Sequence, residues 1–390
     1  MLRVVADTLI PDAEAAFGAL GPVRVLPAAH LTRDALAGAD VLLVRSVTRI
    51  TPDLVAGTPV RFVGTATAGT DHLDLAGLAR AGVATAHAPG SNADSVVDAV
   101  VATLLALASD RGETLAGRTL GVVGAGAVGG RLVPRARALG MRVAVCDPPR
   151  AAAGHLDHDY LPLDDVLAAS DILSLHVPLA EPAPAQAGDG LCPTRDLIGA
   201  DALARLPDGA WLVNAARGEV VDGAALMAAR PRLGALVLDC LPGEPAPDPA
   251  LVAATDLASP HVAGHAVEAK ARGTAMLAAA VRAWAEGQGE APAAPYVPRP
   301  ATPQIVTAPA AGDATAILDA LARQACDVRA EDARFRAAMD RASPAERAAA
   351  FADLRRSYPR RREMASCVVA GDVPAEMRDA VTGGLGMRLG

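Results

Sequence analysis

The stretch "TLGVVGAGAVGGRLV", residues 119–133, constrains the fold more than any other part of the chain. A β-branched apolar run ends at Val123, three glycines follow as Gly124-x-Gly126-x-x-Gly129, and a helical segment opens behind them. The first glycine permits a tight turn, the second lets backbone approach a pyrophosphate, and the third allows close packing of helix on strand. The helix N-terminus then faces the phosphates. Glycine-rich turns are common, so the motif needs a context. It has one in the next strand, "RVAVCD", which ends in Asp147, 18 residues after Gly129. A carboxylate there accepts hydrogen bonds from the adenosine ribose. It would also repel a 2′-phosphate, so the expected cofactor is NAD rather than NADP. Taken alone, Asp147 has a plainer, less favoured reading as a turn residue ahead of Pro148 and Pro149.

Similar apolar runs recur along the 390 residues, separated by segments rich in alanine and leucine. "LRVVA", "VLLVRS", "RFVGTA" and "VATAHA" read as strands in the first ninety residues. "TLGVVGAG", "RVAVCD", "DILSLHV", "AWLVNAA" and "ALVLDC" read as strands between 119 and 240. Apolar strands interleaved with helices imply parallel sheets covered on both faces. The segment from Asn92 repeats Val96, Val97, Val100, Val101, Leu104 and Leu105 at helical spacing. It predicts a helix joining two domains, and a second helical run from His265 returns the chain to the first. The fold class is therefore α/β, with two doubly wound parallel-sheet (Rossmann-like) domains and a small C-terminal α+β domain. The expected boundaries are 1–92 with 262–288 for a substrate-binding domain and 93–261 for an NAD-binding domain. A Pro/Ala/Gly-rich linker follows at 289–303, and a C-terminal domain at 304–390.

The net charge of −8 and the lack of a long basic run give no footprint for nucleic acid. No stretch approaches twenty uninterrupted apolar residues, so neither a membrane span nor a signal peptide is expected. Five scattered cysteines with no C-x-x-C pair predict reduced thiols in a cytoplasmic protein, without a disulfide framework or a metal site. The scarcity of aromatics and the single lysine, Lys270, reflect compositional bias and carry no functional weight.

Three ionisable residues follow strands of the second domain. Arg217 follows "WLVNAA", Glu244 follows "LVLDCLPG", and His261 lies in "ASPHVAGH". Carboxyl ends of strands converge on the ligand crevice in a doubly wound sheet. A histidine there can accept a proton, a carboxylate can fix its tautomer, and an arginine can grip a carboxylate with two prongs. Those parts suffice to oxidise a 2-hydroxy acid. Singly, each is as readily a surface or loop residue, and it is the order Arg, Glu, His beside the glycine motif that favours chemistry.

These stretches, "NAARGEVVDGAAL", "LDCLPGEP" and "SPHVAGHAVEAKARGT", resemble the D-2-hydroxyacid dehydrogenase family. "VRSVTRI", "FVGTATAGTDHLD", "CDPPR", "CDVRAEDARFR" and "LRRSYPRRRE" resemble more narrowly its branch serving vitamin B6 biosynthesis, over almost the whole chain. The resemblance implies catalysis by Arg217, Glu244 and His261. It implies NAD contacts at Gly124, Gly126, Gly129, Asp147, Asp239 and Gly264, and substrate contacts at Ser46 and Thr67. It also implies a small phosphorylated 2-hydroxy acid as substrate, and a homodimer held partly through the C-terminal domain. Two positions depart from the family pattern. Val177 replaces a threonine beside NAD, leaving a backbone contact, and His265 replaces a substrate-touching tyrosine. The stretch 183–197 also diverges and carries no assignment.

The expected chemistry has Arg217 and backbone amides near Thr67–Gly69 holding the substrate carboxylate. His261, oriented by Glu244, acts as general base, and Arg45 is the preferred partner for the phosphate. The "RRSYPRRRE" cluster, 355–363, reads as a solvated basic face in preference to a phosphate site reaching a partner subunit. The rival readings are another dehydrogenase of the family, such as one acting on 3-phosphoglycerate, and a non-catalytic NAD(H)-sensing interaction protein. A regulatory C-terminal domain is a third.

Overall fold

The computed structural model describes residues 1–181, 192–289, 294–300 and 302–390. Parts of the expected linker and of the divergent 183–197 stretch lie outside these described residues. The chain divides into two compact units, Met1–Asn92 with Ala266–Ala301, and Ala93–His265 with Thr302–Gly390.

The first unit carries β1 (Val4–Asp7), β2 (Val23–Leu26), β3 (Val41–Val44), β4 (Phe62–Thr65) and β5 (Ala84–Ala86). Their order is β2-β1-β3-β4-β5 and every pair is parallel. Strands β1, β3 and β4 are buried at every position, which is why they read as unbroken apolar runs. Edge strand β2, "VRVL", is half-buried with Arg24 exposed, and sequence reasoning missed it. The helix Val267–Gly287 joins this core through Leu277, Ala278, Val281 and Ala285, beside Phe62. It comes so close to β4 that a Cβ on Gly64 would lie 2.5 Å from Leu277 Cδ1.

In the second unit β6 (Thr119–Val123), β7 (Arg142–Cys146), β8 (Ile172–Leu175), β9 (Trp211–Asn214), β10 (Ala235–Leu238) and β11 (Leu257–Ala258) form one parallel sheet. Its order is β11-β10-β9-β8-β6-β7. The chain leaves β6 for one neighbour, β7, and later returns to the other side at β8, so the topological switch point lies between β6 and β8. Register aligns the strand ends: Val123 pairs with Cys146 and Leu175, and Asn214 with Leu175 and Leu238. The residues one step beyond, Gly124, Asp147, His176, Ala215 and Asp239, therefore stand in a row along the carboxyl edge. The helix Ala93–Arg111 is buried at every position from Ser95 through Ala108, in keeping with its valine and leucine content on every face.

The C-terminal segment has its own parallel sheet, β12 (Gln304–Thr307), β13 (Cys367–Ala370) and β14 (Arg388–Leu389), in the order β12-β13-β14. Three helices accompany it, Ala314–Ala325, Val328–Met339 and Pro344–Arg356. Each has a side-chain cap, from Asp313, Asp327 and Ser343, and the last is a full capping box with Glu346. Such caps stabilise a helix by about 1 kcal/mol each. The small domain expected at 304–390 thus packs within the second unit. Among the described residues no helix is long and apolar enough to cross a membrane.

Candidate active site

The three glycines after β6 are required for three different reasons. Gly124 adopts φ +89°, and a Cβ there would lie 2.8 Å from the His176 carbonyl and 2.9 Å from Val177 Cγ1. A Cβ on Gly129 would lie 1.9 Å from the Gly124 carbonyl oxygen, so only glycine lets the helix Gly129–Ala138 begin there. Gly126 has nothing within 4 Å of its would-be Cβ. That open face is where a dinucleotide's pyrophosphate can approach backbone.

Asp147 caps the short helix Pro148–Ala152, accepting from the Arg150 N–H at 3.1 Å. Its other oxygen accepts from the Ala125 N–H at 2.8 Å, which ties it to the glycine loop. It is thus both the turn residue of the plainer reading and a carboxylate beside the nucleotide loop. Each oxygen keeps acceptor capacity for a ribose hydroxyl. The residues fit an NAD molecule. Arg150, from "CDPPR", is braced beside it by Tyr160 at 3.1 Å and Asp157 at 2.9 Å.

Further along the carboxyl edge, Asn214 closes β9 and fixes the Arg217 turn. Its Nδ2 donates to the Arg217 carbonyl (2.8 Å) and the Cys240 carbonyl (3.2 Å), and its Oδ1 accepts from the Ala216 N–H (3.1 Å). Sequence reasoning missed Asn214, although a polar residue ending the apolar run "WLVN" was a signal. The Arg217 guanidinium donates to the Ala216 carbonyl at 2.8 Å and is half-buried. Gly218 allows this turn to lie against the next: a Cβ there would sit 2.2 Å from the Leu241 carbonyl oxygen.

The turn after β10 presents Glu244, whose Oε1 accepts from the Leu241 N–H at 2.7 Å. Its Oε2 lies 2.9 Å from His261 Nδ1. A carboxylate only accepts, so Nδ1 carries the proton and Nε2 is left as the base. The His261 ring is 30% exposed and Glu244 19%, so the pair is reachable yet partly screened from water. His261 itself adopts φ +56°, which side-chain-bearing residues rarely do. Asp239 holds it there. The His261 N–H donates to the Asp239 carbonyl at 2.8 Å. Asp239 Oδ1 accepts from Ser259 Oγ at 2.6 Å, Val262 N–H at 2.8 Å and Ala263 N–H at 3.0 Å. Asp239, expected as an NAD contact, is thus the anchor of the loop that carries His261, a role not visible in sequence. Gly264 follows in the same loop, and the His265 ring packs edge-on against Tyr358, 5.5 Å between centroids.

Cys240 Sγ, Glu244 and His261 offer ligand atoms within 4.8 Å of one another. The Cys240 thiol donates to the Ala216 carbonyl at 3.3 Å, and burial pushes its pKa well above the usual thiol range. It remains a protonated packing group beside a committed His–Glu pair. His176, level with Asp239, keeps some surface, but its Nδ1 is enclosed without a hydrogen-bond partner and burial pushes the imidazole down to about 4. It is a neutral ring beneath the glycine loop, with Nε2 2.8 Å from Ser174 Oγ.

In the first unit the ends of β3 and β4 bring Arg45, Ser46 and Thr67 to one edge of the sheet, with Val44 paired to Thr65. Arg45 donates to the Ala66 carbonyl at 3.1 Å. Thr67 Oγ1 donates to the Gly69 carbonyl at 3.0 Å and lies 2.7 Å from Thr65 Oγ1, which His72 also meets at 3.0 Å. The 355–363 cluster is only in part the solvated face expected of it, with Arg356 and Arg360 exposed and the other three arginines held against the protein. Arg361 is 6% exposed, Arg355 lies 6.0 Å over the Phe351 ring, and Arg362 donates to the Thr302 carbonyl at 2.6 Å.

Residues 102–263 match the family described as D-isomer specific 2-hydroxyacid dehydrogenase, NAD binding domain, and 296–382 match a domain family of unknown function. The chain is 49% identical to an erythronate-4-phosphate dehydrogenase of Salinibacter ruber, covering 100% of this chain and 99% of the relative. It is 46% identical to the enzyme of that name from Pseudomonas aeruginosa, covering 97% and 98%. Among solved structures, D-lactate dehydrogenase of Aquifex aeolicus, complexed with NAD and lactic acid, shares the fold with TM-score 0.59 at 23% identity, covering 73% of this chain and 96% of that one. The NAD+-bound 3-phosphoglycerate dehydrogenase of Entamoeba histolytica does so with TM-score 0.59 at 20% identity, covering 72% and 94%.

Proposed function

Because the chain belongs to the erythronate-4-phosphate dehydrogenases, within the D-isomer-specific 2-hydroxyacid dehydrogenase family, we propose that it oxidises 4-phospho-D-erythronate to (R)-3-hydroxy-2-oxo-4-phosphooxybutanoate. It is an NAD-dependent dehydrogenase, and this reaction would serve pyridoxal 5′-phosphate biosynthesis. The observation that carries the mechanism is the 2.9 Å pair of His261 Nδ1 and Glu244 Oε2, on the turn next to that of Arg217. When bound, NAD supplies the acceptor for the hydrogen and two electrons that leave C2 of the substrate. Glu244 keeps the proton on Nδ1, so Nε2 takes the proton of the C2 hydroxyl as the carbonyl forms. The positive charge that His261 gains is met by the carboxylate already bonded to it. Arg217 grips the substrate carboxylate and stabilises charge on the emerging oxygen. Glu244 is a positioning residue, since it acts through His261.

Ser46 and Thr67 are proposed as substrate contacts, with Arg45 for the phosphate and His265 as a further contact. Gly124, Gly126, Gly129, Asp147, Val177, Asp239 and Gly264 are proposed as the NAD contacts. A homodimer built partly through residues 304–390 is also proposed. Ile305, 64% exposed on edge strand β12, supports a buried partner face there. A cytoplasmic setting is supported by the five cysteines, which form no disulfide with one another.

The deciding assay supplies purified protein and NAD with 4-phospho-D-erythronate or 3-phosphoglycerate and follows NADH. Turnover on the first, and little on the second, is expected; the reverse would refute the substrate assignment. His261→Ala should lower turnover by about 1000-fold while NADH still binds. Sedimentation equilibrium of the full chain should give twice the monomer mass.

A further inference from the structure

We propose that Arg361, from the C-terminal segment, is a positioning residue for catalysis: it holds the carbonyl side of the loop that carries His261. The inference rests on the reading of His261 as proton carrier. Its basis is an account of where the loop's backbone groups go. The N–H groups of His261, Val262 and Ala263 all turn toward Asp239. The Val262 carbonyl accepts from the His265 N–H at 2.8 Å, and the Ser259 carbonyl from the His261 N–H at 3.0 Å. The Ala263 carbonyl is taken by Arg361 Nη2. Asp239 and Arg361 thus grip opposite sides of the same short peptide run. A residue in a left-handed conformation persists where its surroundings over-determine it, and here bonds on both sides of the run do so.

Arg361 is itself fixed. The same Nη2 donates to the Ser95 carbonyl at 2.8 Å, in the first turn of the helix Ala93–Arg111, and Nη1 lies 3.2 Å from Cys326 Sγ. Its neighbours in sequence are pinned to that helix as well. Ser95 Oγ donates to Glu363 Oε1 at 2.6 Å, and the Met364 N–H donates to Asp98 Oδ2 at 2.8 Å. A second contact runs beside it: Tyr358 stacks edge-on to His265 and donates to the buried carboxylate of Glu331. One nitrogen, Nη2, meets both carbonyls while Nη1 faces Cys326, so the planar group is fixed in orientation as well as in place, which the single nitrogen of a lysine ammonium does not reproduce. The loop and the helix are thereby fixed to each other through a side chain about a hundred residues away in sequence.

The test compares Arg361→Lys and Arg361→Gln with wild type, with His261→Ala, and with Arg329→Met. Arg329 anchors another part of the same tail, donating to the Ala106 carbonyl at 3.0 Å, without touching the loop. Steady-state rates are read with thermal melting and with the ¹⁵N shifts of the His261 ring in the protein without substrate. Folded Arg361→Lys should lose about 30-fold in kcat with KM for the hydroxy acid changed less than about 3-fold. The His261 ring signals should move in the same variant. Arg329→Met should lower the melting temperature yet keep kcat within about 2-fold, which a merely structural role for the tail would not predict. Wild-type kcat and ring signals in folded Arg361→Lys would overturn the proposal, as would equal loss of kcat in Arg329→Met. If neither Arg361 variant folds, the residue supports the whole unit and a specific role is refuted. Full turnover in His261→Ala would instead remove the underlying reading of the site.

Discussion

A single methyl group at position 218 should disable this enzyme without unfolding it. The α-carbon of Gly218 lies against the turn after β10, and a Cβ would fall 2.2 Å from the Leu241 carbonyl oxygen, 2.4 Å from its carbon and 2.7 Å from Pro242 N. Carbon and oxygen in contact need about 3.3 Å, so the two turns must part by about 1 Å. All three obstructing atoms are backbone, so no side chain can swing aside. The displacement passes to Glu244, because the Leu241 N–H is bonded to its Oε1 at 2.7 Å, and from there to His261. It also separates the trio, since Arg217 stands on the other turn. A misplacement of about 1 Å can cost about 100-fold in rate, while overpacking of this kind destabilises by about 1–3 kcal/mol. Gly218→Ala should therefore melt somewhat lower, bind NADH with unchanged affinity by fluorescence titration, and reduce NAD about 100-fold more slowly. A folded Gly218→Ala protein with turnover within twofold of wild type would show that the turn spacing does not set the geometry of the trio.

Arg217→Lys keeps the charge but loses the two-pronged grip, so turnover should drop at least about 10-fold with the melting temperature nearly unchanged. Gly129→Ala places a Cβ 1.9 Å from the Gly124 carbonyl oxygen, and isothermal titration should find NADH bound at least about 10-fold more weakly. His176 gives a pH dependence: burial takes its imidazole from an ordinary 6.5 down to about 4. The folded protein then binds this proton less readily than the unfolded chain. The contribution is whole above about pH 6.5 and is lost as pH falls toward 4, by about 3 kcal/mol in all. Urea midpoints for His176→Gln should show a flatter slope across that window, and an identical slope would place the ring in contact with water.

The nucleotide half of the site was legible because its grammar is local. Gly124, Gly126 and Gly129 fall within six residues, and Asp147 ends the next strand, so each backbone demand leaves its mark close by in sequence. The Glu244–His261 pair was legible as residue types in an order, but their separation of 17 positions says nothing of a 2.9 Å contact. What holds the pair was not legible. Asp239 was read as a cofactor contact while its Oδ1 gathers three donors from 259–263, a bond pattern with no sequence period. Arg361 sits among five arginines in nine residues, and composition there argues for solvent; only the fold brings it to Ala263. Strands β2, β12 and β14 escaped for a different reason. Each lies at a sheet edge with part of its length exposed, so its apolar signal is weak.

The left-handed backbone of His261 has a thermodynamic corollary. Holding an imidazole-bearing residue at φ +56° costs the native state about 1–2 kcal/mol relative to glycine. The protein thus spends stability at the position proposed to carry the proton. His261→Gly, catalytically dead, should melt a few degrees above the working enzyme, although glycine's freer unfolded chain returns some of that gain. If the proposed role holds, heat resistance and turnover make opposite demands on this one residue.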